Sequence, residues 1–421
     1  MEGIRTVKEG NVEYIDGKGI IKLKTIANQL DLDRNKNLEH YKDIFYQCGK
    51  CGTCRTAYQE EYWARVCPSG EFGKFEAFYL GGKNLLTWAV SSDQLKWSEK
   101  LAKIFYQCSV CLACTQQCQI PEIHNYAGEW LMAMREEAVK LGFGPMPEQA
   151  QYSDHVIKEN NPYMEKHDDR LNWLPSHIKQ NPNAKLAYFV GCTSSYREQG
   201  VAIATAEILN SLNVDFRILK DERCCSSPVY MTGQSEKARK IAEKNVNIFK
   251  DAGIEKIITS CAGCYRTWKE TYPNKFGLEH GIEIMHLPEF LLEKLNSGEL
   301  KFSGSSGSKM KITYHDPCHI GRHMGIYEQP REVLKKIPGI ELIEMIRTKQ
   351  NAWCCGSGGG VRSAFKDLSS FAANERIEEA KETGATAIVS CCPFCLNQFK
   401  NNIINDEIQA LDLSELVKRV L

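Results

Sequence analysis

Lys311-Ile-Thr-Tyr-His-Asp-Pro-Cys318 is a short apolar run that ends at a cysteine, and Lys185-Leu-Ala-Tyr-Phe-Val-Gly-Cys192 repeats it earlier in the chain. Such runs are typical of buried parallel strands. The segments that follow also repeat. In the first copy these segments are Cys224-Cys225-Ser226 and Ile257-Ile-Thr-Ser-Cys261. Their counterparts in the second copy are Cys354-Cys355-Gly356 and Ile388-Val-Ser-Cys391-Cys392. The second half of the chain is therefore an internal repeat.

Helices are predicted before the last strand of each copy, over Ser235–Gly253 and Ser369–Gly384, because each stretch ends at a glycine suited to a helix C-terminus. The order strand, helix, strand predicts βαβ units and parallel sheets. We expect two α/β lobes, at residues 185–301 and 309–421, joined by the flexible linker Phe302–Ser308. Their cysteines would lie at the carboxyl ends of the strands, where open sheets place ligands.

The region before the repeat has a different pattern. Helix formers and apolar spacing predict helices over Leu95–Tyr106 and Leu131–Leu141. The proline-dotted stretch Pro145–Pro182 is interpreted as a connector over the surface, and Asn11–Lys18 as a strand entering a turn. The predicted units are an N-terminal extension at 1–44, a helical domain at 45–145, a connector at 146–184 and the two lobes.

Composition narrows the function classes. The 53 basic residues of the 421-residue chain balance 53 acidic ones, which argues against a nucleic-acid partner. No apolar segment is long enough to span a membrane, and the start lacks a signal peptide. We expect a cytoplasmic protein that reaches the inner membrane face only through a partner. In a reducing compartment, 19 cysteines at tight spacings indicate metal ligands.

Two cysteine triplets, Cys48-x-x-Cys51-x-x-Cys54 and Cys108-x-x-Cys111-x-x-Cys114, each place thiolates on one tight loop. This pattern suits a [4Fe–4S] cubane that takes its remaining ligand from elsewhere, and Cys67 and Cys118 are the candidates. In two-cluster ferredoxins the trailing cysteine of one motif ligates the other cluster. On that rule Cys118 completes the Cys48 set and Cys67 the Cys108 set, with the reverse pairing open. Zinc, the alternative, is usually held by Cys-x-x-Cys pairs.

The repeated motifs resemble the cysteine-rich CCG domain of heterodisulfide reductases. The resemblance rests on Tyr314-His-Asp-Pro-Cys-His-Ile-Gly-Arg-His323, Cys354-Cys-Gly-Ser-Gly-Gly-Gly360 and Cys392-Pro-Phe-Cys395. The triplet region is similar to the helical ferredoxin module that accompanies that domain. Residues 45 to 421 thus resemble the D-type subunits, in which a C-type module precedes a B-type module. The glycines after Cys355 lack Walker and Rossmann spacing, which disfavours nucleotide binding.

The resemblance implies a mixed fold. An α-helical ferredoxin domain with two cubane clusters would precede two pseudo-symmetric, Rossmann-like α/β lobes. One or two noncubane [4Fe–4S] clusters would be held by two sets, carried over by position: Cys192, Cys224, Cys225, Cys261 and Cys264; and Cys318, Cys354, Cys355, Cys392 and Cys395. In the reductases such clusters cleave a mixed disulfide in one-electron steps. We expect the second set, with His319, to be catalytic.

Two functions stay open at this stage. In the first, the chain is the catalytic subunit of a disulfide reductase, acting in either direction on a small thiol or disulfide or on a protein thiol. Two complete sets favour this function, because many relays of the family have lost ligands. In the second, it is an electron relay beside a flavoprotein dehydrogenase or membrane cytochrome b. The chain carries no flavin or nicotinamide fingerprint, so a partner must supply or collect electron pairs. The cluster load is typical of anaerobic life.

Other residues have two interpretations each. His315, His319 and His323 would deliver protons or form a scaffold around Cys318. Arg322 and Arg362 would hold anionic groups of a substrate or have a structural role. Cys391, next to Cys392, is interpreted as a buried bystander, with an alternative ligand as the second interpretation. A group of aromatic residues is interpreted as core or as a docking surface: Trp63, Phe72, Phe75, Phe78 and Tyr79.

The sequence also departs from the family pattern. Arg55–Val66 is a long insert before Cys67, Cys118 lacks the usual following proline, and the first pair reads Cys-Cys-Ser where the family has Cys-Cys-Gly. These departures indicate a divergent branch.

Overall fold

A small antiparallel sheet opens the chain. It contains β1 (Thr6–Glu9), β2 (Val12–Ile15) and β3 (Ile20–Leu23). A computed structural model describes residues 6–9, 12–15, 20–23, 38–59, 62–303, 309–405 and 407–421. Strand β2 confirms the strand predicted within Asn11–Lys18. Asn11, residues 16–18 and residues 304–308 of the predicted linker lie outside the described residues.

The helical domain packs its helices around a core that contains aromatic side chains. Phe45 and Trp130 meet edge to face, with their ring centroids 5.8 Å apart. The helix predicted over Leu95–Tyr106 begins later than expected, because Ser98 caps it by accepting a hydrogen bond from the Leu101 N–H. Helices α1 to α6 are Lys42–Phe45, Pro68–Gly73, Leu80–Ser91, Glu99–Tyr106, Ala113–Gln116 and Pro121–Lys140. The insert before Cys67 forms the hairpin strands β4 and β5, Thr56–Gln59 and Tyr62–Arg65.

The predicted connector lies largely on the surface, but it is more structured than the sequence indicated. It contains helix α7 (Pro147–Glu159), which buries Tyr152 and Val156, and beyond it Trp173 is also buried. Proline favours the first turn of a helix, and Pro147 occupies it here. The proline that indicated a break in the sequence therefore starts a packed helix.

Each lobe contains a four-stranded parallel sheet. In the first lobe β6 to β9 are Leu186–Phe189, Phe216–Arg217, Lys256–Thr259 and Glu283–His286. Helices α8 to α14 are Cys192–Tyr196, Gln199–Ser211, Ser227–Tyr230, Ser235–Asp251, Ala262–Arg266, Tyr272–Phe276 and Leu287–Ser297. In the second lobe β10 to β13 are Met310–Tyr314, Ile340–Leu342, Ala387–Ser390 and Gln409–Asp412. Helices α15 to α19 are Glu328–Lys336, Val361–Ala364, Lys366–Glu382, Pro393–Lys400 and Leu413–Lys418.

The two sheets have the same topology. Their strand orders are β7-β6-β8-β9 and β11-β10-β12-β13, so equivalent strands occupy equivalent places. Helix α9 packs on α19, and α14 packs on α15, which are equivalent pairs with the lobes exchanged. One hydrophobic core runs through both lobes. The predicted parallel α/β architecture and its repeated strands are confirmed.

A glycine allows the second lobe to approach the helical domain closely. Gly359 has a φ of +63°, and a Cβ there would lie 2.8 Å from the carbonyl oxygen of Cys108. Any side chain would push the domains apart, so the glycine run brings the lobe against the second cysteine triplet. Across the described part of the chain, no helix combines the length and apolarity that a bilayer crossing requires.

Candidate metal centres and pocket

The first five-cysteine set gathers where the strands of the first lobe end. Cys192 begins α8 after β6, Cys224 and Cys225 precede α10, and Cys261 and Cys264 lie at the start of α12. All five are buried. Their thiols are in hydrogen-bond contact in the order Cys192, Cys224, Cys225, Cys264, Cys261. The short strands thus bring one complete predicted set together.

The second set repeats this arrangement. Its thiols are in contact in the order Cys318, Cys354, Cys355, Cys395, Cys392. The sulfurs of Cys355 and Cys395 lie 3.4 Å apart, and a nitrogen of His315 lies within 4.8 Å of both. Hydrogen bonds with the sulfurs of Cys355 and Cys392, together with burial, hold the pKa of Cys395 well above its usual value. Hydrogen bonds with Cys354 and Cys395 hold the pKa of Cys355 well below its usual value, so the set offers a thiolate among closely spaced thiols and fits a metal cluster.

The two triplets lie side by side, each near a remote cysteine. Cys118 feels the charges of Cys48 and Cys51, while Cys67 feels those of Cys108 and Cys111. Burial raises the pKa of Cys67 to about 12, and burial with nearby thiolates holds that of Cys114 well above its usual value. Cys51 is exposed. The charge of Cys67 also acts on Cys54 of the first triplet, so the pairing of remote cysteines with triplets stays a prediction.

The sulfur sites form a continuous series through the molecule. Cys111 of the second triplet and Cys354 of the second set are in hydrogen-bond contact, and the Ser109 hydroxyl lies 3.5 Å from the Cys354 sulfur. At the other side of that set, Cys392 contacts Cys261 of the first set. Short contacts between consecutive sites are what a path for single electrons requires. The series ends at the first set.

A pocket of about 460 Å³ opens onto the first set. All five cysteines of that set line it, and the second lobe contributes His319, Gly358–Gly360, Arg362 and Phe394. The pocket therefore lies between the lobes. Of the residues predicted to be catalytic, only His319 is among its walls. The structure places the cysteines of the second set between the triplets and the first set.

Arg362 gives the pocket a positive charge that no carboxylate of the described residues pairs with. Its guanidinium lies over the Phe394 ring, 5.7 Å from the centroid. Its Nη1 is buried and has no hydrogen-bond partner in the described part of the chain. Arg197, the other arginine of the pocket, is paired with Glu165 at 2.7 Å. An anionic ligand would therefore meet Arg362.

The remaining predicted residues are distributed between scaffold and pocket. His315 accepts a hydrogen bond from Arg376, 3.2 Å away, and His323 Nε2 lies 3.1 Å from the Val110 carbonyl oxygen. Both contacts favour the scaffold interpretation. Burial lowers the pKa of His319 to about 3, so this pocket residue is a neutral imidazole. Arg322 donates to the carbonyl oxygen of Cys111 at 2.6 Å, away from the pocket, which fits a structural role.

Several residues of the site were not predicted from the sequence. Tyr163, in the connector, lines the pocket, and its hydroxyl lies 2.8 Å from that of Thr193. Arg135 lies buried beside the second triplet. A charged residue directly after the apolar run Trp130–Met134 was the signal that could have revealed it. Cys391 is buried near the Tyr314 hydroxyl, as a bystander would be.

Comparison with known proteins agrees with this arrangement. The family model described as a cysteine-rich domain matches twice, at residues 186–269 and 312–400. The D-type subunit of the dihydromethanophenazine:CoB–CoM heterodisulfide reductase of Methanosarcina mazei is 37% identical over 320 residues, which cover 75% of this chain and 77% of that one. The chain belongs to the family of heterodisulfide reductase D-type subunits. It is therefore a member of a group of iron–sulfur oxidoreductases.

Two relatives of lower identity have other names, and one solved structure was also compared with the chain. The B-type subunit of the fumarate reductase (CoM/CoB) of Methanothermobacter marburgensis is 30% identical, with 74% of this chain and 60% of that one covered. The EtfAB:quinone oxidoreductase of Syntrophomonas wolfei is also 30% identical, with 75% and 45% covered. A putative Asp/Glu racemase structure from Yersinia pestis covers 56% of this chain and 96% of that one, with a TM-score of 0.28 and 12% identity.

Proposed function

We propose that the chain is the disulfide-binding subunit of a reductase complex and that the disulfide binds in the pocket between the lobes. The observation that carries this proposal is the pocket itself, which opens onto the last sulfur site of the series. A pure relay would need a surface for a second protein at that end. A concave site lined by cysteines, an aromatic ring and an unpaired cation is typical of small-molecule binding.

The donor sets fit the expected clusters. We assign one cubane to Cys48, Cys51, Cys54 and Cys118, and the other to Cys108, Cys111, Cys114 and Cys67. Two noncubane clusters would be held by the sets that begin at Cys192 and Cys318. When bound, such clusters supply single-electron transfer and iron sites for sulfur. The chain itself fixes their order and spacing, with the exposed Cys51 nearest to an electron-donating partner, a flavoprotein or a membrane cytochrome b.

The pocket favours a small anionic disulfide over a protein thiol. About 460 Å³ suits a molecule of drug-like size. Arg362 would hold a carboxylate, sulfonate or phosphate, and a guanidinium that is partly desolvated binds such groups strongly. Phe394 supplies an apolar wall. The name of the Methanosarcina mazei relative indicates CoB–CoM heterodisulfide as that protein's substrate, which belongs to this chemical class.

Reduction of a disulfide to two thiols takes up an electron pair and a pair of protons. His319 and Tyr163 line the pocket, so both are positioned to meet a leaving thiolate. His319 is held neutral by burial and would donate a hydrogen bond through its ring N–H. We therefore propose that the second set delivers electrons, while the first set and His319 meet the substrate.

Electron paramagnetic resonance of the anaerobically purified protein tests this function. The protein is oxidised with and without 2-mercaptoethanesulfonate, an anionic thiol. We expect a new signal that appears only with the thiol. Arg362→Gln should raise the thiol concentration needed for half of the signal by about tenfold or more. The control Lys237→Gln, an exposed cation paired with Asp154, should leave it unchanged.

The same spectra distinguish the proposed reductase from an electron relay. If the thiol and an uncharged analogue, 2-mercaptoethanol, both leave the spectrum unchanged, the proposal fails. The chain would then be an electron relay, a function compatible with the name EtfAB:quinone oxidoreductase of the Syntrophomonas wolfei relative. If the uncharged thiol gives the signal as readily as the anionic one, the role of Arg362 fails while the disulfide chemistry stands.

A further inference from the structure

Six cationic side chains are buried in the described part of the chain, and they fall into two groups. In the first group every guanidinium pairs with a carboxylate. Its members and partners are Arg170 with Glu222, Arg331 with Asp316, and Arg376 with Glu379. In the second group no carboxylate partner is present among the described residues. Its members are Lys83, Arg135 and Arg322, with exposed fractions of 2%, 0% and 9%. A buried charge without a counter-charge is strongly unfavourable.

Lys83 lies beside Cys67. Its ammonium donates to the Phe78 carbonyl oxygen and to the Ser69 hydroxyl, 3.1 Å away. The Cys67 sulfur lies 4.0 Å from the same Phe78 oxygen. The positive charge of Lys83 opposes the effect of burial on the pKa of Cys67. This thiol and the ammonium therefore belong to one electrostatic site.

Arg135 and Arg322 lie beside the triplet itself. Arg135 donates to the carbonyl oxygen of Cys108, and Arg322 donates to that of Cys111 at 2.6 Å. Neither cation is fully satisfied, because Nε of Arg135 and Nη2 of Arg322 are buried without a hydrogen-bond partner in the described chain. Burial acts to lower the pKa of Arg322, and the thiolates of Cys111, Cys318 and Cys354 outweigh it and raise the pKa.

The other triplet has a different surrounding. Arg55, next to Cys54, is 44% exposed and pairs with Glu76. Its charge is screened by water and by its partner. The unpaired buried cations thus surround Cys67 and Cys108–Cys111 rather than the loop at Cys48–Cys51.

We infer that Lys83, Arg135 and Arg322 are the counter-charges of the cubane assigned to Cys67, Cys108, Cys111 and Cys114, and that they raise its reduction potential above that of the cubane at Cys48. A cubane with its thiolates is an anion that becomes one charge more negative when it takes up an electron. Buried cations stabilise that added charge. The inference rests on the ligand assignment of the proposed function and not on a substrate.

The inferred potentials have a consequence for the path of electrons. Electrons entering near the exposed Cys51 would collect at the second cubane, whose Cys111 touches Cys354. Arg322 also interacts electrostatically with Cys318 and Cys354, so its charge acts on the next site in the series. The cations would therefore hold the electron where it is needed for the next transfer.

A redox titration of the full-length protein, followed by electron paramagnetic resonance without any disulfide, tests the inference. Two variants are made at each position, one that removes the charge and one that keeps it. These are Lys83→Gln and Lys83→Arg, Arg135→Gln and Arg135→Lys, Arg322→Gln and Arg322→Lys. We expect each glutamine variant to shift the higher of the two cubane potentials downward and to leave the lower one in place. The variants that keep the charge should retain the wild-type potentials.

Iron content and far-ultraviolet circular dichroism distinguish a variant that loses its cluster from one that loses its fold. If a glutamine variant loses iron but stays folded, and its charged counterpart keeps both iron and potential, the counter-charge role is supported. If both variants lose the cluster or the fold alike, hydrogen bonding explains the residue and the inference is overturned. Unchanged potentials in the glutamine variants, or a shift of the lower potential alone, also overturn it. Lys74→Gln, at an exposed cation at the far end of the helix that Cys67 begins, is the matched control and should shift neither potential.

These readouts are independent of the proposed reaction. A protein that shows no thiol-dependent signal, yet shows the expected shifts, would fail the disulfide reductase proposal and keep the counter-charge inference. The opposite result would keep the reductase and reject the counter-charges.

Discussion

Cys261 and Cys392 contact each other across the boundary between the lobes. They occupy the same place in the repeat, each being the first cysteine of its Cys-x-x-Cys. Contact between equivalent residues means that the pseudo-twofold axis of the repeat passes between them. The two cysteine sets therefore meet at this pair of equivalent residues, and each lobe completes the surroundings of the other set.

Adjacent cysteines provide a direct test of which thiol is a ligand. Cys392→Ala should lose one cluster, because it removes a member of the second set, while Cys391→Ala should keep the wild-type iron content. Cys391 is buried, so its replacement should reduce the free energy of unfolding by about 1 kcal/mol. Iron and acid-labile sulfide per chain are the measurements. Equal iron loss in both variants would contradict the assignment.

Asp412 should make stability depend on pH. It caps α19 by accepting hydrogen bonds from Ser414, and burial raises its pKa to about 8. Because the folded-state pKa lies above the unfolded one, near 4, stability is full at acidic pH and falls as the pH rises toward 8. Asp412→Asn keeps the cap and should remove this fall, worth on the order of 3 kcal/mol between pH 5 and 8.

Anaerobic urea unfolding at the two pH values measures this effect. Asp154→Asn, at a side chain that is 71% exposed, is the control and should follow the wild type. A wild-type protein whose stability does not fall toward pH 8, or a variant with the same fall, would show that Asp412 ionises normally.

The repeat made much of the fold predictable. Apolar runs ending at Cys192 and Cys318 are local signals, and they mark strands that the structure confirms at β6 and β10. The grouping of cysteines followed from their places at strand ends, because parallel strands bring their carboxyl ends to one edge. For these cysteines, the position at a strand end was enough to predict which of them lie close together.

Contacts between distant segments were not predictable. The connector around Tyr152 is buried by packing against the lobes, which no local pattern records. The orientation of the lobes decides which cysteine set faces the pocket, and the motif around Cys318 carries no information on that orientation. Arg135 is buried by three units together, and it donates to carbonyl oxygens of Cys108, Met231 and Gly359.

The serine that follows the first cysteine pair, where the family has glycine, should reduce the stability of the fold. Ser226 has a φ of +71°, and the equivalent Gly356 has a φ of +83°. Left-handed backbone is unfavourable by roughly 1–2 kcal/mol for residues with a Cβ. The Ser226 hydroxyl is also buried without a partner in the described chain. Ser226→Gly should therefore increase the free energy of unfolding by about 1 kcal/mol.

The reverse change at the equivalent position is the matched variant. A Cβ at Gly356 would lie 2.6 Å from the Ala372 Cβ and 2.8 Å from the Ser369 carbonyl oxygen. Gly356→Ser should reduce stability and disturb the second set. Urea unfolding and iron content measure both variants. Equal effects of opposite substitutions would mean that backbone strain does not govern these turns.

Two neighbouring histidines should separate catalysis from structure. The ring centroids of His319 and His323 lie 5.0 Å apart. Of the two, only His319 lines the pocket, while His323 is hydrogen-bonded to the Val110 carbonyl oxygen. His319→Gln should lower the turnover of an anionic disulfide by about tenfold or more, with iron content and stability unchanged. His323→Gln should instead reduce the free energy of unfolding by about 1–2 kcal/mol, because it disturbs a buried hydrogen bond. Turnover with an artificial electron donor, measured beside urea unfolding, distinguishes the two. Wild-type turnover in His319→Gln would remove this histidine from the reaction and leave Tyr163 as the remaining candidate for proton delivery.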